Sequence, residues 1–216
     1  MEDKSRQFWE EKLKSYNTKD WIDRPSIFIQ EAVHYFPNDG KVLELAAGQG
    51  QDSRYLAKQG YKVTCTDRSD FGLAEAQRKA ELEGVDVKFA KVDLAEPLPF
   101  SDGELDVVYA HMGLHYFTNE HTRKLFEEIG RVLKSGGVFA GLFNTIKDPD
   151  LLNKEFEKIE DNYSYEVETG LKKRYFTIEE TKLFIQGIFE PLILDEEGRT
   201  YKDGDLGLIR LIARKL

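Results

Sequence analysis

At 216 residues the chain is short for two full domains and long enough for one sizeable core. Hydrophobic residues make up 40 % and charged residues 33 %, the balance of a globular protein rather than a disordered one. With 40 acidic and 31 basic side chains the net charge is -9, which a phosphate backbone repels, so nucleic acid is not an expected partner.

Cys65 stands alone, which excludes an internal disulfide, a cysteine-built zinc site and a CxxC redox pair. No apolar run approaches the ~18 residues that cross a bilayer. The opening MEDKSRQFWEEKLK is charged throughout and cannot be the core of a secretory signal. The expectation is a cytoplasmic protein with no membrane partner, as a monomer or homodimer.

Trp9, Leu13 and Tyr16 fall on one helical stripe. A second helix is expected from Asp23-Arg24-Pro25, with Pro25 in its first turn and Phe28, Ile29, Ala32, Val33 and Phe36 on its apolar face. From Val42 the pattern changes to strands alternating with helices. Strands are predicted at 42–46, 61–66, 85–91, 105–110 and 138–143, with helices at 52–59, 72–82 and around 125–133, the last closed by Gly136-Gly137. Apolar strands with crossover helices indicate a parallel sheet covered on both faces. Residues 152–159 read as a further helix inside a long insertion. Thr177 and Glu180 form a capping box before the last helix. Leu192–Leu194 and Leu208–Ala213 flank a stretch too turn-rich for a crossover helix, so they must pair antiparallel.

The sharpest local feature is Val42-Leu43-Glu44-Leu45-Ala46-Ala47-Gly48-Gln49-Gly50-Gln51-Asp52-Ser53. Small residues at Ala46, Gly48 and Gly50 let a ligand lie against bare backbone at the crevice of an open α/β sheet. Asp67 ends the second strand, where a carboxylate accepts both hydroxyls of a ribose. Asp93 ends the third, placed to accept from an adenine amine. Ser53 stands where a dinucleotide fingerprint wants its third glycine, and Asp52 occupies the helix N-terminus that would receive a pyrophosphate. The ligand therefore reads as a nucleoside with a cationic or zwitterionic tail, which Glu44 would balance.

These segments carry a resemblance. VLELAAGQGQDSRYLAKQGYKVTCTD, KVDLAEPLPF, ELDVVYAHMGLHYF and IGRVLKSGGVFAGLF resemble, in order and spacing, the motifs of class I S-adenosylmethionine-dependent methyltransferases. RYFTIEE and the ending LIRLIARK are similar to the small-molecule group of tellurite-resistance and thiopurine enzymes. The resemblance implies a Rossmann-like, doubly wound α/β sheet of seven strands, mostly parallel with an antiparallel C-terminal hairpin strand. It implies S-adenosyl-L-methionine as cofactor and a small-molecule acceptor. By position, Glu44, Ala46, Gly48, Gly50 and Asp52 would line the methionine and ribose, with Asp67 on the diol and Arg68 beside the adenine. Asp93 and Leu94 would bind the adenine edge, and Ala110 and His111 would face the reactive methyl. Ala46 replaces the usual first glycine, and the Asn-Pro-Pro-Tyr set of amide- and adenine-methylating relatives is missing at His111, which speaks against those substrates.

His111, His115 and Tyr116 are the candidate catalytic groups, and Tyr16, Trp21 and Tyr175, with Trp9, Tyr163 and Tyr165, the candidate acceptor pocket. No metal is expected, because nothing completes a ligand set around the two histidines. Lys172-Lys173-Arg174 is the one compact basic run and reads as a solvated loop that attracts anions only secondarily. Residues 1–40 are expected to cap the acceptor site, 41–145 to form the cofactor core, 146–176 an insertion, and 177–216 the closing helix and hairpin, all in a single domain. A nicotinamide-dependent oxidoreductase and a non-catalytic binding module are the rival readings.

Overall fold

A computed structural model describes residues 2–148, 151, 154–201 and 207–216. In chain order the first half contains α1 (Glu2–Tyr16), α2 (Ile27–Ala32), β1 (Lys41–Leu45), α3 (Gln51–Lys58), β2 (Lys62–Asp67), α4 (Asp70–Glu83) and β3 (Val87–Lys91). The second half adds β4 (Leu105–His111), α5 (Asn119–Val132), β5 (Leu133–Phe143), β6 (Phe156–Glu160), β7 (Tyr163–Glu166) and β8 (Lys172–Arg174). It closes with α6 (Ile178–Ile185), β9 (Phe189–Gly198) and β10 (Leu208–Lys215).

Seven strands form one sheet in the order β3-β2-β1-β4-β5-β10-β9. β1 pairs parallel with β2 and β4, β2 with β3, and β4 with β5, each connection being long enough for a crossover. β10 runs antiparallel to both β5 and β9. This is the seven-stranded, mostly parallel arrangement expected from the sequence.

Side chains alternate across the sheet and divide the core in two. Leu43, Leu45, Val108, Ala110, Phe139 and Phe143 face α5 and α6, joining Phe126, Phe176 and Phe184. Val42, Val107, Tyr109, Ala140 and Leu142 face the other way, joining Phe28, Leu56 and Ala76. Each fully buried Phe contributes roughly 1.5–3 kcal/mol of apolar burial. Glu44 shares the second face by the same period, and it is there that its carboxylate is buried.

The insertion differs from expectation. Residues 156–160 are strand β6, not helix, and residues 152 and 153 of the expected helix lie outside the described residues. β6, β7 and β8 make a separate three-stranded antiparallel sheet. The basic run is therefore not a solvated loop but strand β8. Arg174 is wholly buried, and its guanidinium donates to the Phe117 carbonyl at 3.2 Å, to Glu160 at 3.0 Å and to Glu180. It ties the small sheet to the segment between β4 and α5.

Helix starts also shift. Ser26, not Pro25, begins α2: its hydroxyl caps Ile29 N at 3.0 Å, leaving Pro25 outside the helix. Thr177 caps Glu180 N at 3.1 Å, but the Glu180 side chain goes to Arg174, so only half of the capping box forms. β5 begins at Leu133 and runs through Gly136-Gly137 instead of after them. Among the described residues no helix is long and apolar enough to cross a membrane.

Candidate active site

The turn from β1 into α3 is held by left-handed backbone at Ala46 (φ 52°), Gly48 (φ 56°) and Gly50 (φ 66°). Glycine removes the penalty of that conformation at two of the three positions. Gly50 serves packing rather than a ligand, since a Cβ there would stand 3.0 Å from the Ala76 Cβ and 3.3 Å from the Cys65 sulfur. Ala46 and Gly48 face a cavity of about 800 Å3 that opens along the carboxyl ends of β1, β2 and β4.

Asp67 fixes this loop. Its two carboxylate oxygens accept from Gly48 N and Ser69 N, both at 2.8 Å, while its carboxyl also borders the cavity. Burial raises its pKa, against the pull of those backbone donors. Arg68, Val92, Asp93, Leu94 and Ala95 continue the same wall. The Arg68 Nε is buried without a hydrogen-bond partner. Glu44 lies deeper, accepting from the Ser53 hydroxyl. Burial first, and then the charge of Asp52, push its pKa well up, and a cation beside it would act in the opposite direction.

Asp52 behaves differently from expectation. Its carboxylate accepts from Ser26 N, the Ser26 hydroxyl and the Tyr109 hydroxyl, all at 2.7 Å, and does not line the cavity. It clamps α2 to α3 rather than guarding a helix N-terminus, so it supplies no argument against a pyrophosphate.

The opposite end of the cavity is aromatic. α1 presents its expected stripe there: Trp9, Leu13 and Tyr16 all line it. The helix is seated by Gln49, whose amide donates to the Leu13 carbonyl at 2.7 Å and to Asn17 at 2.8 Å. Glu10 adds an anchor by accepting from Asp70 N and Phe71 N, two free donors at the start of α4. Trp21 stacks on Tyr201 at 4.7 Å, Tyr16 meets Trp21 edge-on at 4.9 Å, and His111 meets Tyr201 at 5.2 Å. Trp9 packs edge-on against Tyr116 at 5.7 Å.

Several expected residues stand elsewhere. Ala110 points into the opposite core face by strand alternation, leaving His111 as the residue of that pair on the cavity. His115 is buried behind the wall, and its pKa is held down to about 3, chiefly by burial, then by the charges of Lys173 and His111. Tyr175 is buried against Phe156 and does not reach the cavity, and neither does Tyr163. Tyr116 does line it, but burial pushes its hydroxyl well above the ordinary tyrosine range, so it keeps its proton at neutral pH. Among the described residues no group of three or more His, Cys, Asp or Glu side chains is placed to hold a metal ion.

Sequence reasoning passed over Gln49, Gln51, Phe117 and Tyr201, which also line the cavity. It also passed over Gly113, where a Cβ would come within 2.4 Å of the Ala46 Cβ. The signal for Gln49 was its place between the two loop glycines; Tyr201 lies in a turn-rich stretch with no pattern to mark it.

Residues 42–137 match the family model described as a methyltransferase domain. That segment, a little under half of the chain, is similar to a methyltransferase domain. The site fits S-adenosylmethionine, the cofactor that the resemblance implies, with bare backbone at Ala46 and Gly48, carboxylates at Asp67 and Asp93, and the buried acid Glu44. The chain is 37 % identical over 100 residues to an uncharacterized methyltransferase of Synechocystis, a match covering 46 % of this chain and 45 % of that one. It is 35 % identical over 116 residues to a sarcosine/dimethylglycine N-methyltransferase of Aphanothece halophytica, covering 51 % and 40 %. The chain thus spans less than half the length of these relatives. Among solved structures, the PH0226 protein of Pyrococcus horikoshii shares the fold with a TM-score of 0.75 at 20 % identity, covering 94 % of this chain and 99 % of that one. A Burkholderia thailandensis 1,6-didemethyltoxoflavin-N1-methyltransferase with bound S-adenosylhomocysteine shares it at 0.71 and 18 % identity, covering 97 % and 88 %.

Proposed function

We propose that this protein transfers the methyl group of S-adenosylmethionine to a small-molecule acceptor by in-line displacement, through positioning and exclusion of water. The observation that carries the reading is that one cavity joins the nucleoside-binding wall at Asp67 and Asp93 to an aromatic chamber at Trp9, Tyr16, Trp21 and Tyr201. Two similar proteins, a sarcosine/dimethylglycine N-methyltransferase and a 1,6-didemethyltoxoflavin-N1-methyltransferase, support an acceptor of small size.

When bound, the cofactor supplies a methyl on an already activated sulfonium. The residues of this chain then have three tasks. Asp67 and Asp93 hold the ribose and adenine, Glu44 balances positive charge at the methionine end, and the rings shut out water. Alignment of this kind supplies up to about 7–11 kcal/mol of barrier lowering. Neither His115, which is behind the wall, nor Tyr116, which keeps its proton, serves as a base. His111 is the imidazole on the cavity and the group to which a proton transfer would fall, if the acceptor must lose one. Residues 1–40 act as the cap of the acceptor chamber, with α1 as its roof.

S-adenosylhomocysteine is expected to raise the melting temperature. Asp67→Ala should remove most of that ligand-induced shift, measured against the variant's own unliganded value. The lost charged contacts correspond to about 1.5–3 kcal/mol, or ten- to a hundred-fold in affinity. No shift of the unaltered protein with either S-adenosylmethionine or its product would sink the reading.

A further inference from the structure

The basic run Lys172-Lys173-Arg174 is resolved by the structure into three different environments. Lys173 pairs with the buried carboxylate of Glu166 at 2.7 Å, which also takes Lys154 at 2.6 Å. Arg174 is buried between Glu160 and Glu180. Lys172 has no ion pair among the described residues, is exposed, and lines the cavity.

Strand pairing explains how it gets there. In the register of β7 and β8, Tyr165 stands opposite Lys172 and Tyr163 opposite Arg174. Residues directly opposite share a face, and alternation puts all four on the same one. Consistently, the Arg174 guanidinium lies over the Tyr163 ring at 5.5 Å. One end of that face is driven into the core. The other end, Tyr165 with Lys172, forms part of the cavity wall.

Charge in the cavity is therefore divided. Among the described residues, the charged side chains that line it are Glu44, Asp67, Arg68 and Asp93 on the stretch from β1 to just past β3, and Lys172 on β8 beside Tyr165. Lysine spread along an apolar wall gives its stem to the ring of a ligand and its ammonium to an anion. A cationic acceptor would meet both Lys172 and the cofactor's sulfonium, and is repelled twice. An anionic acceptor is attracted by both. The rings of Trp21, Tyr201 and Tyr165 favour a flat apolar body over an aliphatic one.

We propose that the acceptor is an aromatic acid, its ring lying among Trp21, Tyr201 and Tyr165 and its carboxylate paired with Lys172. This rests on the assignment of the cavity to cofactor and acceptor together. The test uses enzyme saturated with S-adenosylhomocysteine, titrated calorimetrically with a panel of hydroxybenzoates, hydroxycinnamates and their matched amides, with sarcosine as an aliphatic acid. At least one aromatic acid should bind about tenfold or more tightly than its amide and than sarcosine. Lys172→Gln should erase the preference for acid over amide while leaving S-adenosylhomocysteine affinity and the binding of the amide unchanged. Amides that bind as well as the acids, a preference that survives Lys172→Gln, or no aromatic acid binding at millimolar concentration would each overturn the proposal. So would sarcosine binding as well as the aromatic acids. Failure of S-adenosylhomocysteine itself to bind would instead count against the cofactor assignment.

Discussion

The two ends of the cavity are made by different means. The end proposed for the cofactor comes from one stretch of chain, Glu44 to Ala95, and consists of backbone turns and carboxylates at or just past strand ends. The end proposed for the acceptor is assembled from Trp9 to Ile22, His111 to Phe117, Tyr165 to Lys172, and Thr200 with Tyr201. Its material is aromatic rings, and its position depends on contacts between distant parts. Gln49 seats α1, Arg174 holds the small sheet, and the Tyr163 hydroxyl donates to the Tyr116 carbonyl at 3.1 Å. The difference teaches that the site proposed for the nucleoside is fixed mainly by the sheet and its first turn, while the proposed acceptor chamber is only as well defined as the ties that hang it on the sheet.

The harshest way to break that division is Arg174→Met. It leaves Glu160 and Glu180 facing a buried apolar side chain, a cost of about 3–5 kcal/mol, and should lower the melting temperature sharply. Because the damage falls on the acceptor end, S-adenosylhomocysteine affinity measured on the folded protein should change little. Equal loss of stability and cofactor affinity would show that the two ends are one cooperative unit. Arg174→Lys, which restores one charge, should fall between the variant and the unaltered protein.

Gly113→Ala probes the seam from the other side. The added methyl would stand 2.4 Å from the Ala46 Cβ, and Ala46 is already in left-handed backbone. Overpacking of this kind costs about 1–3 kcal/mol. Here the cofactor should suffer: its affinity is expected to fall several-fold, read by the same titration. An unchanged affinity would mean that the glycine loop yields without penalty.

The contrast also explains what could be read from sequence. The β1 turn was legible because alternation stops and small residues start within a few positions, and Asp67 and Asp93 because strand ends are local events. Asp52 was misread because capping rules look only at neighbours, while its partner Ser26 is far off in sequence and Tyr109 farther still. Phe156 and Ile159 sit at helical spacing, yet the segment is a strand. The available signal was Asp161-Asn162, a tight turn with Asn162 at φ 58°, joining β6 to β7 as a hairpin. Nothing local distinguishes Tyr201 from other exposed-looking residues, and the basic run that contains Lys172 does not show which of its three residues reaches the cavity; tertiary packing decides both.

His115 gives the mildest test, because it asks on which side of the wall a residue lies. Buried, it is held neutral with a pKa of about 3, whereas an unfolded histidine titrates near 6.5. Between those values the unfolded chain binds more protons, so the contribution to stability is whole above about pH 6.5 and is lost as pH falls toward 3. The slope is at most about 1.4 kcal/mol per pH unit. Glu44 and Asp67 have raised pKa values and act in the opposite sense, destabilising as pH rises, but they are common to both proteins in a comparison with His115→Phe. The difference in melting temperature between the two should therefore shift in favour of the Phe variant between pH 7.5 and 5. Parallel curves would mean that water reaches the imidazole and that His115 belongs to the acceptor chamber after all.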